Sequence, residues 1–264
     1  MKPIVFIDTE VDVRTRKIMD VGAIKDDGAN FRGTSVDSLA GFLGQARWLC
    51  GHNLLHHDLQ YLREPLKRAG LTHFKFIDTL YLSPLLFPKK PYHKLVKDDK
   101  LQSEERNNPV NDSVKARDLF HDEVAAFSRL NPALKEIYFQ LLRDKPEFEG
   151  FFDYMSYTAN TGNLTQLILE HFAAMICERA NLSRMITQHP VALAYGLALV
   201  SSYREDGAAH SIMPAWVFKN FPEVDRILYL LRSKPCLEGC VYCNQAFDIY
   251  RGLNRFFRYD KFRT

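Results

Sequence analysis

This 264-residue chain has no apolar run approaching the ~18 residues that a membrane-spanning helix needs. Its N-terminal stretch, MKPIVFIDTE, meets Asp8 and Glu10 too early to serve as a secretory signal. Cysteine is scarce and odd in number, with five residues in all, which argues against a paired disulfide framework. A large charge of either sign is also missing: 35 Lys and Arg against 32 Asp and Glu leave +3. Bulk charge therefore marks no nucleic-acid binder, and any such surface must be a local patch. What remains is ordinary globular composition, 46% hydrophobic and 25% charged. The expected location is cytoplasmic or otherwise intracellular.

MKPIVFID, KIMDVGAIKDDG and FRGTSV read as short strands, with a turn at Asp27-Gly28. SVDSLAGFLGQA sets Leu39, Phe42 and Leu43 at helical spacing, and DLQYLREPLKRAG is amphipathic through Leu59, Leu62 and Leu66. ARWLCGHN and FKFIDTLYL supply two further apolar runs, the second again ending on a carboxylate. Strands interleaved with helices predict an α/β domain, a mixed sheet flanked by helices. The pattern weakens from Leu86 to Asn111. A helix resumes near Asp112, with Val114, Phe120, Val124 and Phe127 as core positions. Asn131-Pro132 marks a boundary, and from there to about Ser202 the chain reads as almost wholly helical. The predicted division is 1–130 for the α/β domain, 131–205 for a helical module, and 206–264 for a small cysteine-containing segment with a basic tail.

Four carboxylates stand out by position. Asp8 and Glu10 end the first strand two residues apart, so both side chains share one face. Asp58 and Asp112 open helices. Strand ends and helix starts gather at one edge of an α/β sheet, where these acids can converge. Converging carboxylates repel unless hard cations sit between them, and Mg²⁺ or Mn²⁺ suits an all-oxygen set. The plain alternative is that Asp58 and Asp112 are helix caps and nothing more.

FIDTE, GHNLLHHDLQYL and NDSVKARDLF, in that order, resemble the three motifs of the DnaQ-like (DEDD) 3′–5′ exonucleases. The likeness covers roughly residues 3–128. It implies a ribonuclease H-like sheet, with Asp8, Glu10, Asp58 and Asp112 as ligands of two Mg²⁺ or Mn²⁺ ions. Thr9, His52 and Asn53 would lie near the terminal nucleotide of a single-stranded or frayed DNA 3′ end. The family usually carries a general base, His five residues or Tyr four residues before the third-motif Asp; here those positions hold Asn107 and Asn108. An amide cannot take a proton at neutral pH. A rival register pairs His93 with Asp98 in YHKLVKD, and His93, His56 and His57 are the histidines able to replace the base.

PCLEGCVYCNQ holds Cys236, Cys240 and Cys243 as Cys-x3-Cys-x2-Cys. The spacing resembles the cluster signature of radical SAM enzymes, but only 21 residues follow Cys243, too few for their barrel. A structural Zn²⁺ is the expected ligand, with His210 and then Cys177 as candidates for the fourth donor. Free thiols and an iron–sulfur cluster are the alternatives. The tail LNRFFRYDKFRT resembles the segment that opens the core of RecQ-type DNA helicases, although Arg258 stands where Gly is usual. No Gly-x4-Gly-Lys-Ser/Thr nucleotide loop is present, so any helicase partner in cis would lie outside these residues.

Overall fold

A computed structural model describes residues 2–12, 14–90, 93, 95, 108–158, 162–203, 213–237 and 239–247. Asp98, Asn107, His210 and the basic tail, each invoked above, lie outside the described residues. The elements run β1 (Ile4–Asp12), β2 (Lys17–Lys25), β3 (Asn30–Gly33), α1 (Val36–Leu43), β4 (Trp48–Gly51), α2 (Leu59–Arg68), β5 (Lys75–Asp78), α3 (Thr79–Leu86) and α4 (Pro109–Arg129). They continue with α5 (Pro132–Leu142), α6 (Glu149–Met155), α7 (Leu164–His171), α8 (Leu182–Gln188), α9 (Pro190–Val200), α10 (Ala215–Asn220) and α11 (Glu223–Leu228). A π-helical turn, Tyr229–Ser233, and α12 (Val241–Ala246) follow.

The chain divides into two units, and the first is α/β. Its five strands lie in the order β3-β2-β1-β4-β5. β1 pairs antiparallel with β2 and parallel with β4, which makes the sheet mixed. β1 is central, so Ile4, Val5, Phe6 and Ile7 are all buried, and successive side chains serve opposite faces. Val5 and Ile7 join Leu39 and Leu43 of α1 and Leu59, Leu62 and Leu66 of α2 in one cluster. Phe6 looks the other way and packs on Phe120 of α4, with ring centroids 5.7 Å apart.

The buried stripe of α4 is Pro109, Ser113, Ala116, Phe120, Glu123 and Phe127, where the sequence favoured Val114 and Val124. Small residues at 113 and 116 let the helix close on the sheet, and both valines are only half-buried.

The division of the chain departs from the sequence reading in two places. Residues 142–158 belong with the sheet, and the remaining helices share one unit with the cysteine segment. The reason is physical. Phe151 of α6 packs edge-on to Phe127 at 5.4 Å. Asp153 accepts hydrogen bonds from Arg47, at 2.7 and 2.9 Å, and from the Trp48 indole at 2.9 Å. Gly150 makes room for the closest approach, since a Cβ there would stand 2.0 Å from the Phe76 carbonyl oxygen.

The second unit is helical. α9 is buried on every side from Val191 to Val200, which marks a central core helix. Among the described residues no helix is long and apolar enough to cross a membrane.

Candidate functional site

The end of β1 sets the geometry. Asp8 pairs with Gly22 of β2 and Glu10 with Asp20, and the register shifts immediately after Glu10. Gly22 is where α4 lands: a Cβ at this position would lie 2.2 Å from Pro109 C and from Val110 N. The Ser113 hydroxyl donates to the Gly22 carbonyl at 3.0 Å and fixes the contact. Asn108 caps the helix, its side chain accepting from the Val110 N–H at 3.1 Å, and Pro109 supplies the pre-set first turn. Asp112 is therefore not the cap. It sits in the first turn of α4, opposite the two strand acids. Asp8, Glu10 and Asp112 each offer an oxygen, and these atoms lie within 4.8 Å of one another. The three form a group that can hold a metal ion, with Lys115 Nζ 3.8 Å from the Asp112 carboxylate.

Asp58 is placed differently. It precedes α2 but makes no side-chain capping bond. One oxygen accepts from the Thr9 N–H at 2.8 Å and from the Thr9 hydroxyl at 2.7 Å. The other is buried with no partner among the described residues. Burial pushes its pKa well up, the negative charge of Asp8 adds to this, and the Thr9 donors pull it back. The expected convergence of four acids thus resolves into three within reach of one ion, with Asp58 beside them, electrostatically coupled to Asp8. Thr9 is itself buried, and its described bonds go to Asp58.

The Gly51–Asn53 loop is held from below by the end of β5. Asn53 takes a left-handed conformation, φ 64°. The Asp78 carboxylate accepts from the N–H groups of Asn53 and Leu55 at 2.8 and 3.0 Å, and from Leu80 at 3.0 Å as the cap of α3. Burial raises its pKa to about 6 against the pull of those three donors. His52 Nδ1 meets the Thr79 hydroxyl at 2.9 Å. The buried His93 meets the Ser83 hydroxyl at 2.7 Å and is not part of the acidic group. The His56 ring lies tilted against Tyr81 at 5.8 Å, and the His57 ring edge-on to Tyr61 at 6.1 Å. Sequence reasoning passed over Asp78 as a site-shaping residue, although a strand ending in Asp before a helix is a capping signal. It also missed Glu123, which is fully buried with both oxygens unpartnered among the described residues. Burial, then the charge of Asp78, raises its pKa well above normal.

Burial lowers the pKa of His52 and of His93 to about 4, helped by each other's neighbourhood in one case and by Lys90 in the other. Folding thus favours the neutral rings. Their stabilising contribution is present above the unfolded value near ~6.5 and is lost as pH falls toward 4. Asp78 has the opposite sign, since its ionisation between about 4 and 6 works against the fold. Asp58 and Glu123, raised further, act in the same sense as Asp78, so the histidine contribution is read by difference: the urea midpoint of His93→Gln should fall further below the wild type's at pH 6.5 than at pH 4. An equal gap at the two pH values would show that His93 titrates normally.

In the second unit, Cys177, Cys236, Cys240 and Cys243 bring their sulfurs within 4.8 Å of one another, a group that can also hold a metal ion. None of the four is in a disulfide. Cys177, one of the two candidates for a fourth donor, is thus brought beside the other three. The sequence had read 164–180 as continuous helix, but α7 stops at His171 and Ala174 adopts φ 60°, which turns Cys177 toward the others. Burial acts against ionisation of Cys236, yet the N–H groups of Cys240 and Gly239 outweigh it and bring the thiol to about 7. No family model, no curated protein and no solved structure matches this chain, so its own residues and geometry carry the reading that follows.

Proposed function

We propose that this chain is a divalent-metal-dependent 3′–5′ exonuclease, hydrolysing terminal phosphodiesters of DNA at single-stranded or frayed 3′ ends. One observation carries the reading. Asp8, Glu10 and Asp112, drawn from the first and third motifs at opposite ends of the resemblance, come within 4.8 Å at one sheet edge. Helix capping does not explain them, because Asn108 already caps α4. The donor set is all carboxylate oxygen, which fits Mg²⁺ or Mn²⁺. The unpartnered oxygen of Asp58 beside Asp8 supports a second ion. When bound, two such ions supply an activated water and neutralise the departing 3′ oxygen.

The protein's own share is positioning. Thr9 fixes one oxygen of Asp58 and leaves the other available. Asp78 holds the backbone of Asn53, and Thr79 the ring of His52, which braces the loop ahead of α2 for contact with the terminal nucleotide. Neither residue expected near the third-motif acid stands ready as a general base: Asn108 is an amide engaged in capping, and His93 is tied to Ser83. That same observation favours a second reading, a DNA-binding or docking module with little or no catalysis.

Incubation of a 3′-labelled single-stranded oligonucleotide with the protein and Mn²⁺ separates the two. The exonuclease should release the label as mononucleotide, and Asp8→Ala should abolish release while keeping the fold, because like-charge repulsion is relieved. DNA binding without release, in the presence of Mn²⁺, would establish the docking reading instead. Equal release by wild type and Asp8→Ala would remove the acidic group from the mechanism altogether.

A further inference from the structure

The second unit holds a donor set that the nuclease reading leaves unused. Cys177 and Cys240 place their sulfurs 4.0 Å apart, and all four sulfurs of the cluster fall within 4.8 Å of one another. A disulfide needs ~2.05 Å, so none of these thiols is bonded to another. Buried cysteines that serve only as small apolar residues have no reason to point four sulfurs at one spot. The surrounding backbone also treats these sulfurs as acceptors. The Cys236 N–H is directed at Cys243 Sγ at 3.4 Å, and the Cys240 N–H at Cys236 Sγ at 3.3 Å. Such N–H donors support metal-bound sulfur, orienting it and spreading its charge.

Two pieces of chain build the arrangement. Gly239, at φ 76°, forms a knuckle just ahead of Cys240, and α12 then carries Cys243. Cys177 arrives from the turn after α7, where its N–H donates to the Leu231 carbonyl at 2.7 Å. The Tyr242 hydroxyl donates to the Arg232 carbonyl at 2.6 Å and ties α12 to the same π-helical turn.

We infer that Cys177, Cys236, Cys240 and Cys243 together bind one zinc ion in a tetrahedral, all-thiolate site. Sulfurs ~2.3 Å from a common Zn²⁺ stand about 3.8 Å from one another along the tetrahedron edges, a spacing the cluster accommodates with small movements. An iron–sulfur cluster interposes irons and sulfides between its thiolates and needs them further apart. Four protein ligands close the coordination shell and leave no position for a substrate, so the ion is structural. It links residues 63 apart in sequence, the turn after α7 and the knuckle, and holds them as a crosslink would.

The test is metal analysis of the full chain, purified without chelator, combined with exchange of Co²⁺ into the same protein. About one zinc per chain is expected, and the cobalt form should show tetrahedral ligand-field bands with the charge-transfer intensity of four thiolates. Cys177→Ser should lose its zinc on dialysis against a chelator that leaves the wild type loaded. Cys50→Ala, which alters a buried thiol of the other unit, should keep it. Asp8→Ala should also keep it, so failure of the zinc site and failure of the nuclease site read out separately. Absence of zinc, iron with acid-labile sulfide, or full zinc retention by Cys177→Ser would each overturn the assignment. If Cys177→Ser does not fold, the cobalt spectrum of the wild type decides alone, and an intensity matching three thiolates overturns it.

Discussion

Gly22→Ala is expected to cut nucleotide release by about 10²-fold or more, the loss typical of a ~1 Å misplacement of reacting groups. The substitution adds one methyl group, and that methyl has nowhere to go. It would stand 2.2 Å from two backbone atoms at the start of α4, and no change of rotamer can move a Cβ. The helix must back away, and the Ser113 bond to the Gly22 carbonyl lengthens with it. Asp112 rides on the first turn of that helix, so it withdraws from Asp8 and Glu10 while every ligand residue remains present. Mn²⁺ affinity should fall alongside the rate. Stability should drop by roughly 1–3 kcal/mol, the usual cost of overpacking. Gly41→Ala in α1 is the control, because a Cβ there meets nothing within 4 Å. A wild-type rate in Gly22→Ala would mean that the seat of α4 does not set the position of Asp112.

The second large effect concerns the absent base. With Asn107 and Asn108 at the two positions where the resemblance places His or Tyr, the usual acceptor of the water's proton is missing. The rate of label release should then climb with pH through neutrality, with no plateau near ~6.5, where an ordinary histidine would titrate. Asn107→His should raise the rate near neutral pH, by up to the ~10²–10⁴-fold that a positioned base contributes. It leaves the Asn108 cap in place, whereas a change at 108 would remove the side-chain acceptor for Val110. His93→Ala should leave the rate unchanged, since that ring is buried against Ser83. The reverse pattern, loss in His93→Ala and silence in Asn107→His, would make the histidine the base.

How far each part of the site was legible depends on the range of the interactions that place it. Asp8 and Glu10 share a face because strand geometry is local, and two letters of sequence suffice to predict it. The mixed sheet followed from alternating apolar runs for the same reason. Asp58 looked like a fourth ligand or a cap; which it is depends on Thr9, forty-nine residues earlier, and no spacing rule encodes that bond. Cys177 stood second to His210 as a fourth donor because its stretch reads as helix; the left-handed turn at Ala174, which no spacing rule encodes, brings it to the other three. Asp78 was noticed as a strand end, but its value lies in three N–H groups, two of them across the sheet in another loop. Glu123 falls on the apolar face of α4 between Phe120 and Phe127, where pattern reading expects a hydrophobic residue.

The return of residues 142–158 to the sheet has a practical meaning for anyone dissecting the chain. The peptide leaves the α/β unit after Leu130, comes back at Leu142 and leaves again after Thr158. A fragment stopping at the sequence-predicted boundary would strip Phe151 from Phe127 and leave Arg47, Trp48 and Lys75 without the Asp153 carboxylate they converge on. The smallest piece that preserves the acidic centre with its own packing therefore runs from the N-terminus to Thr158. The eleven residues 131–141, which belong to the other unit, must be carried along as a passenger or replaced by a linker.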